Sequence, residues 1–174
     1  VAFVILMGVN EYFTIIERIG VNGFRITGMI LSFLLLLCFY FDESFILGWG
    51  LVASVSLFAA WFFQGDNVKD AIDQISFTLF GVLYVAGLGG YYLLIRNLEG
   101  GERLIFFLLL IVWLGDIAAY YWGKNFGKKP LAPIVSPNKT IEGSIAGLTG
   151  SLVAAVISGL FFLDHIAMVH CLLA

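Results

Sequence analysis

Apolar residues fall along this chain in long unbroken runs, not in alternating patterns or narrow helical stripes. Phe24 to Phe41, Phe45 to Phe63, Ile75 to Ile95, Leu104 to Trp122 and Ile141 to Leu163 each approach the ~20 residues that a helix needs to cross a hydrocarbon core of about 30 Å. Partial runs lie at both ends, Val1 to Ile16 and Ile166 to Ala174. Barrel strands alternate and are about half as long, so continuous runs predict helices. The expected fold is all-α: a polytopic transmembrane helical bundle, one domain over residues 1–174, with five full spans and the two partial ones. Val1 to Met7 lacks the basic start and small-residue cleavage site of a signal peptide. The chain opens without methionine and closes inside an apolar run, and is expected to be a fragment of a longer one.

Composition agrees with the pattern. Hydrophobic residues make up 61% of the chain and charged residues 12%, with a mean hydropathy of +1.01. A water-soluble domain carries about twice that share of charge. The net charge of −3 says little, because placement matters more than sum in a membrane protein. No basic patch suggests nucleic acid. Cys38 and Cys171 stand far apart in apolar runs and read as buried free thiols, and His165 and His170 lack spaced acidic or cysteine partners for a metal.

Counting Lys and Arg by alternate loops gives an orientation. Seven (Arg18, Arg25, Lys69, Lys124, Lys128, Lys129, Lys139) fall on one side and two (Arg96, Arg103) on the other, so the richer side is expected to face the cytosol. Most other polar residues read as structural: Glu11, Glu17 and Arg18 solvate a helix end, Asp66 to Asp73 form a turn and a helix start, and Tyr91, Tyr92 and the tryptophans anchor the interface. Small residues recur at four-residue spacing in Gly143, Gly147 and Ser151, and again in Ala154 and Ser158, a pattern that lets helices approach closely, more often within a chain than across a dimer. Gly87, Gly89 and Gly90 suggest a further close contact with a partner the sequence does not name.

One stretch departs from this scaffold. Asp116 stands inside an apolar run, where an unpaired carboxylate costs at least ~2.5 kcal/mol, so it must meet a cation, the bundle interior or a water-filled cavity. Tyr120 and Lys124 follow at i+4 and i+8 on nearly the same face, so the three are expected to form one wall rising towards the cytosol. Ser136 before Pro137 reads as an N-cap with proline at the first helical position. The helix start would then offer free N–H groups beside Lys139 and Thr140, an arrangement suited to an anion. Glu142, one turn on, is expected to pair with Lys139, hold a cation or orient a lysine. Together these favour a site for a phosphorylated ligand at the cytosolic membrane surface, with a loop and helix start over 123–143 at its centre.

The run Asp116-Ile-Ala-Ala-Tyr120, Gly123, Phe126-Gly127-Lys128, Leu131-Ala132-Pro133 and Ser136-Pro137-Asn138-Lys139-Thr140-Ile141-Glu142-Gly143 resembles the core of the CDP-diacylglycerol synthases, the phosphatidate cytidylyltransferases. Ile117 and Ala118 stand where the family has Thr-Gly, and Asn138 stands where Lys is common. The family's C-terminal signature, rich in Lys, Asp, Gly and His, does not occur before Ala174, and the main metal ligands are expected beyond this chain.

The resemblance implies transfer of a cytidylyl group from CTP to phosphatidic acid, giving CDP-diacylglycerol and pyrophosphate, with Mg²⁺ and room left for a second cation. It implies catalytic roles for Asp116, Lys139 and Glu142. Substrate contacts are implied from Lys124, Lys128, Ser136, Asn138, Thr140 and Tyr120, with metal contacts from Asp116 and Glu142. CTP, phosphatidic acid and membrane lipids are the implied partners, with a homodimer left open; the implied place is the prokaryotic inner (plasma) membrane. The competing reading is a proton-coupled transporter with Asp116 as relay, for which the sequence offers no internal repeat.

Overall fold

The structure, a computed structural model, describes residues 1–64, 68–134, 136–161 and 163, with the side chains of Gln64 and Lys69 excepted. By its contacts the chain divides into two compact units, Val1–Leu98 and Glu99–Ala174.

The first unit is a bundle of five helices, α1 (Ala2–Arg18), α2 (Arg25–Phe41), α3 (Ile46–Gln64), α4 (Val68–Gly81) and α5 (Leu88–Arg96). A π-helical segment, Val82–Gly87, joins α4 to α5. The punctuation follows the sequence. Gly20, at φ +86°, ends α1, with Gly20 N–H donating to Glu17 O and Val21 N–H to Ile16 O, the paired bonds of a left-handed helix stop. Asp42 leaves α2 in extended geometry, and its carboxylate accepts from the Ser44 N–H at 2.8 Å to start a short 3₁₀ turn into α3. That hydrogen bond holds the Asp42 carboxyl below the usual carboxylate range.

Val9, Phe13, Leu31, Leu35, Phe39, Leu57, Val82 and Ala86 form the centre of this unit. Large side chains fill hollows left by glycines: Phe13 lies against Gly28, Tyr12 against Gly81, Phe39 against Gly90 and Ile5 against Gly89. The partners of Gly89 and Gly90, open in the sequence, are thus on α1 and α2. Some buried polar atoms pair across helices. The Thr78 hydroxyl accepts from Phe24 N–H at 2.9 Å and donates to Gln74 O at 2.7 Å. Trp49 is buried, and its indole N–H donates to Leu31 O at 2.9 Å. Glu17 does more than solvate a helix end: it pairs with Arg25 at 3.0 Å, and Arg25 also donates to Asn10.

The second unit is a helical hairpin, α6 (Gly101–Phe126) and α7 (Ile141–Phe161), joined by a two-stranded antiparallel ribbon, β1 (Pro130–Ala132) and β2 (Ser136–Thr140). The ribbon is a small local exception within a helical fold. It is short, and its register is irregular, pairing Pro130 with Thr140 and Ala132 with Ser136. Gly143, Gly147 and Ser151 lie on the seam with α6, so this part of the small-residue pattern serves packing within the chain. A Cβ on Gly143 would sit 2.9 Å from Ala119 O, and one on Gly147 would sit 3.1 Å from Ala119 Cβ. The Ser151 hydroxyl donates to Ile111 O at 3.1 Å across the same seam.

Among the described residues four helices are long and apolar enough to cross a membrane: Glu43–Phe63, Asp70–Arg96, Gly101–Phe126 and Ile141–Phe161. The run Phe24 to Phe41 forms a shorter apolar helix of 17 residues, Arg25–Phe41, which is not among those four. The C-terminal run Ile166 to Ala174, His165, His170 and Cys171, with Asp66 and Asn67, lies outside the described residues.

Candidate active site

The site is built where α6 ends and α7 begins. A cavity of about 760 Å³ is lined by Asp116, Ala119, Tyr120, Gly123 and Lys124 from α6, by Leu131, Ser136, Asn138, Lys139 and Thr140 from the ribbon, and by Gly143 and Ser144 from α7. Its size suits a small ligand. Asp116, Tyr120 and Lys124 share one face as their spacing requires, and the Lys124 ammonium lies 5.7 Å from the Tyr120 ring centroid, within cation–π range. Among the described residues Asp116 makes no ion pair; its carboxylate is exposed.

Thr140 sits at the crossing point of the two helices. Its hydroxyl accepts from the Gly143 N–H at 3.2 Å, so Thr140, not Ser136, caps α7. Ser136 and Pro137 belong to β2, where proline's missing N–H is tolerated on an edge. Three glycines crowd the Thr140 side chain: a Cβ on Gly123 would lie 3.1 Å from its hydroxyl, one on Gly143 3.0 Å and one on Gly127 2.6 Å. A Cβ at Gly127 would force a shift, while at Gly123 and Gly143 the Thr140 hydroxyl would have to give way.

The expected anion site at the α7 N-terminus is therefore largely occupied by the chain itself. Ile141 N–H donates to Lys129 O at 2.9 Å, and Gly143 N–H is taken by Thr140. Cationic and polar side chains are left to meet a phosphate: Lys124 and Lys139, with Ser136 and Asn138 beside them.

Two candidates lie outside the cavity lining. Glu142 turns to the main chain, its Oε2 accepting from Lys128 N–H at 3.0 Å and Lys129 N–H at 3.2 Å. Among the described residues it has no ion pair with Lys139, which corrects the pairing expected from their i+3 spacing. Lys128 contributes its N–H to that contact, while its side chain is exposed. Sequence reasoning also missed Ser144, whose hydroxyl donates to Thr140 O at 3.1 Å, and the lining role of Leu131. The spacing of Ser144 four residues after Thr140 was the available signal for the first; nothing local marked the second.

The donor set for a metal is limited. Among the described residues no three His, Cys, Asp or Glu side chains gather as a metal site. Asp116 alone of the two proposed carboxylates lines the cavity. One carboxylate suits Mg²⁺ where substrate phosphates and water complete the coordination.

A profile of the cytidylyltransferase family matches residues 1–174, the whole of this sequence. The chain belongs to the cytidylyltransferase family. Relatives named phosphatidate cytidylyltransferase agree. The protein of that name from Bacillus subtilis is 38% identical over 86 residues, 49% of this chain and 32% of the relative. That from Staphylococcus haemolyticus is 44% identical over 89 residues, 51% of this chain and 33% of the relative. That from Staphylococcus epidermidis strain RP62A is 38% identical over 112 residues, 64% of this chain and 42% of the relative. The matches cover only 32% to 42% of the length of these relatives. No solved structure matches it.

Proposed function

We propose that the full-length protein transfers a cytidylyl group from CTP to phosphatidic acid, making CDP-diacylglycerol and pyrophosphate at the cytosolic face of a prokaryotic plasma membrane. The observation that carries this reading is a cavity holding Lys124, Lys139 and Asp116 at one end of two apolar helices, within a family-matched chain. A lipid phosphate can enter such a cavity while its acyl chains stay in hydrocarbon. The names of the relatives supply the substrate class. The family match gives the transporter reading no support.

In this reaction an oxygen of the lipid phosphate forms a bond to the α-phosphorus of CTP. The bond from that phosphorus to the oxygen bridging it to the β-phosphate breaks, and pyrophosphate leaves with the electron pair. Such transfers depend on positioning and on neutralising charge, without an activated protein nucleophile. Lys139 and Lys124 hold phosphate oxygens and offset their charge, Ser136 and Asn138 fix their orientation, and Tyr120 steadies Lys124 from below. Lys128, exposed beside the cavity, draws anionic substrate towards it. Thr140 shapes the floor, its hydroxyl already engaged. Asp116 would hold Mg²⁺, which supplies charge neutralisation on the phosphates when bound. Glu142 lies outside the cavity lining, its Oε2 taken by the Lys128 and Lys129 N–H groups.

The test follows radiolabelled CTP into the organic phase, with full-length protein in detergent, phosphatidic acid and Mg²⁺. Lipid-soluble label that requires both substrates, and falls about 10²-fold or more in Lys139→Ala, is the expected result. Absence of label from folded, metal-supplied protein would overturn the reading.

A further inference from the structure

We propose that Glu142 is a positioning residue: its carboxylate grips the main chain at Lys128 and Lys129 and so fixes the root of the ribbon that carries Ser136, Asn138 and Lys139 to the cavity. At Gly127, with φ −63° and ψ 127°, the chain leaves α6. The next two N–H groups have left the helical ladder and need an acceptor. Glu142 Oε2 supplies one for both, at 3.0 and 3.2 Å. The neighbouring Ile141 N–H holds Lys129 O at 2.9 Å. Two consecutive residues of α7 therefore hold three main-chain atoms of the Lys128–Lys129 dipeptide.

The ribbon needs this anchorage. Its strands have three and five residues and an irregular register, and an isolated two-stranded ribbon is marginal at best. One root runs directly into α7 through Thr140; the other is the dipeptide that Glu142 holds. Releasing it would let the ribbon shift against α6, and a displacement near 1 Å at a phosphate contact can cost about 10²-fold in rate. Glu142 does not itself line the cavity, so its influence on the reaction passes through the ribbon.

Glutamine separates this role from a charge or metal role, because its amide oxygen accepts both N–H groups without the negative charge. Hydrogen exchange at the Lys128 and Lys129 amides reads the grip itself, and cytidylyl transfer reads its consequence; the second arm rests on the proposed reaction. In full-length protein, exchange at both amides is expected to be slow in the wild type and in Glu142→Gln, and faster in Glu142→Ala. Activity is expected within about 3-fold of wild type in Glu142→Gln, a charge-assisted bond being about twice a neutral one. In Glu142→Ala it is expected to fall about 10- to 100-fold. Equal exchange in wild type and Glu142→Ala would overturn the proposal. So would a Glu142→Gln protein that keeps its slow amides yet is as inactive as Glu142→Ala, since the charge would then be acting directly. A wild type without transferase activity that still shows the expected exchange pattern would sink the reaction and leave the grip standing.

Discussion

Glycine is used in opposite ways in the two units. In residues 1–98 it opens a hollow for a bulky side chain, as where Phe13 fills the space at Gly28 and Phe39 that at Gly90. In the α6–α7 hairpin glycine faces main chain and other small residues: Gly143 against Ala119 O, Gly150 against Leu114 O, Gly147 against Ala119 Cβ. The first use fills space with rotatable groups that can readjust. The second sets one backbone against another with little to give, and places Asp116, Lys124 and Lys139 from different elements around one cavity. In lipid, where burial alone gives little drive for helices to associate, such close van der Waals approach is a main source of stability.

The sharpest break between the units is expected at Asp116. Asp116→Asn in full-length protein should lower cytidylyl transfer about 10²- to 10³-fold while leaving the thermal midpoint unchanged, because the carboxylate is exposed and unpaired among the described residues. Full activity in the variant would remove Asp116 from the site. A smaller effect comes from exchanging the two kinds of packing. Phe13→Ala should destabilise by less than the ~3–5 kcal/mol of a soluble core, since the lost side chain would be in hydrocarbon either way, and activity per folded molecule should persist. Gly150→Ala should cost about 1–3 kcal/mol, its Cβ meeting Leu114 O at 2.8 Å, and activity should fall with it as the helices part. Thermal unfolding and turnover measured on the same detergent samples would check both. Equal activity losses in the two variants would erase the distinction.

The smallest effect concerns Asp42. Its carboxyl is held low by the Ser44 N–H, so its contribution exists above the unfolded pKa and disappears as pH falls through the lower folded value. Asp42→Ala should therefore lower stability slightly near neutral pH and converge with wild type in acid, below about pH 4. A difference that grows on acidification would be the wrong sign.

The apolar runs announced most of the helices, because hydrocarbon thickness demands a length that composition displays. The cavity wall of Asp116, Tyr120 and Lys124 was equally legible, since helical spacing fixes a face. The ribbon was not. Ser136-Pro137 satisfies the rules for a helix start as well as for an edge strand, and only pairing with Pro130–Ala132, set by the chain reversal, decides between them. Glu142 shows the same limit. Its i+3 spacing from Lys139 made an ion pair one of its readings, but the N–H groups its carboxylate accepts from lie 13 and 14 residues back, and no local period reports such a contact. The burial of Trp49 was equally illegible, because the carbonyl that receives its indole N–H, Leu31 O, is supplied by another helix.

The hairpin also bears on how the protein is made. Every residue lining the cavity falls between Asp116 and Ser144, and the contacts that close it, such as Gly143 on Ala119 and Gly123 on Thr140, stay within one hairpin. Closing a single hairpin costs less chain entropy than pairing segments from distant parts of a chain. During synthesis the cavity is thus expected to assemble as soon as α7 follows α6 into the bilayer.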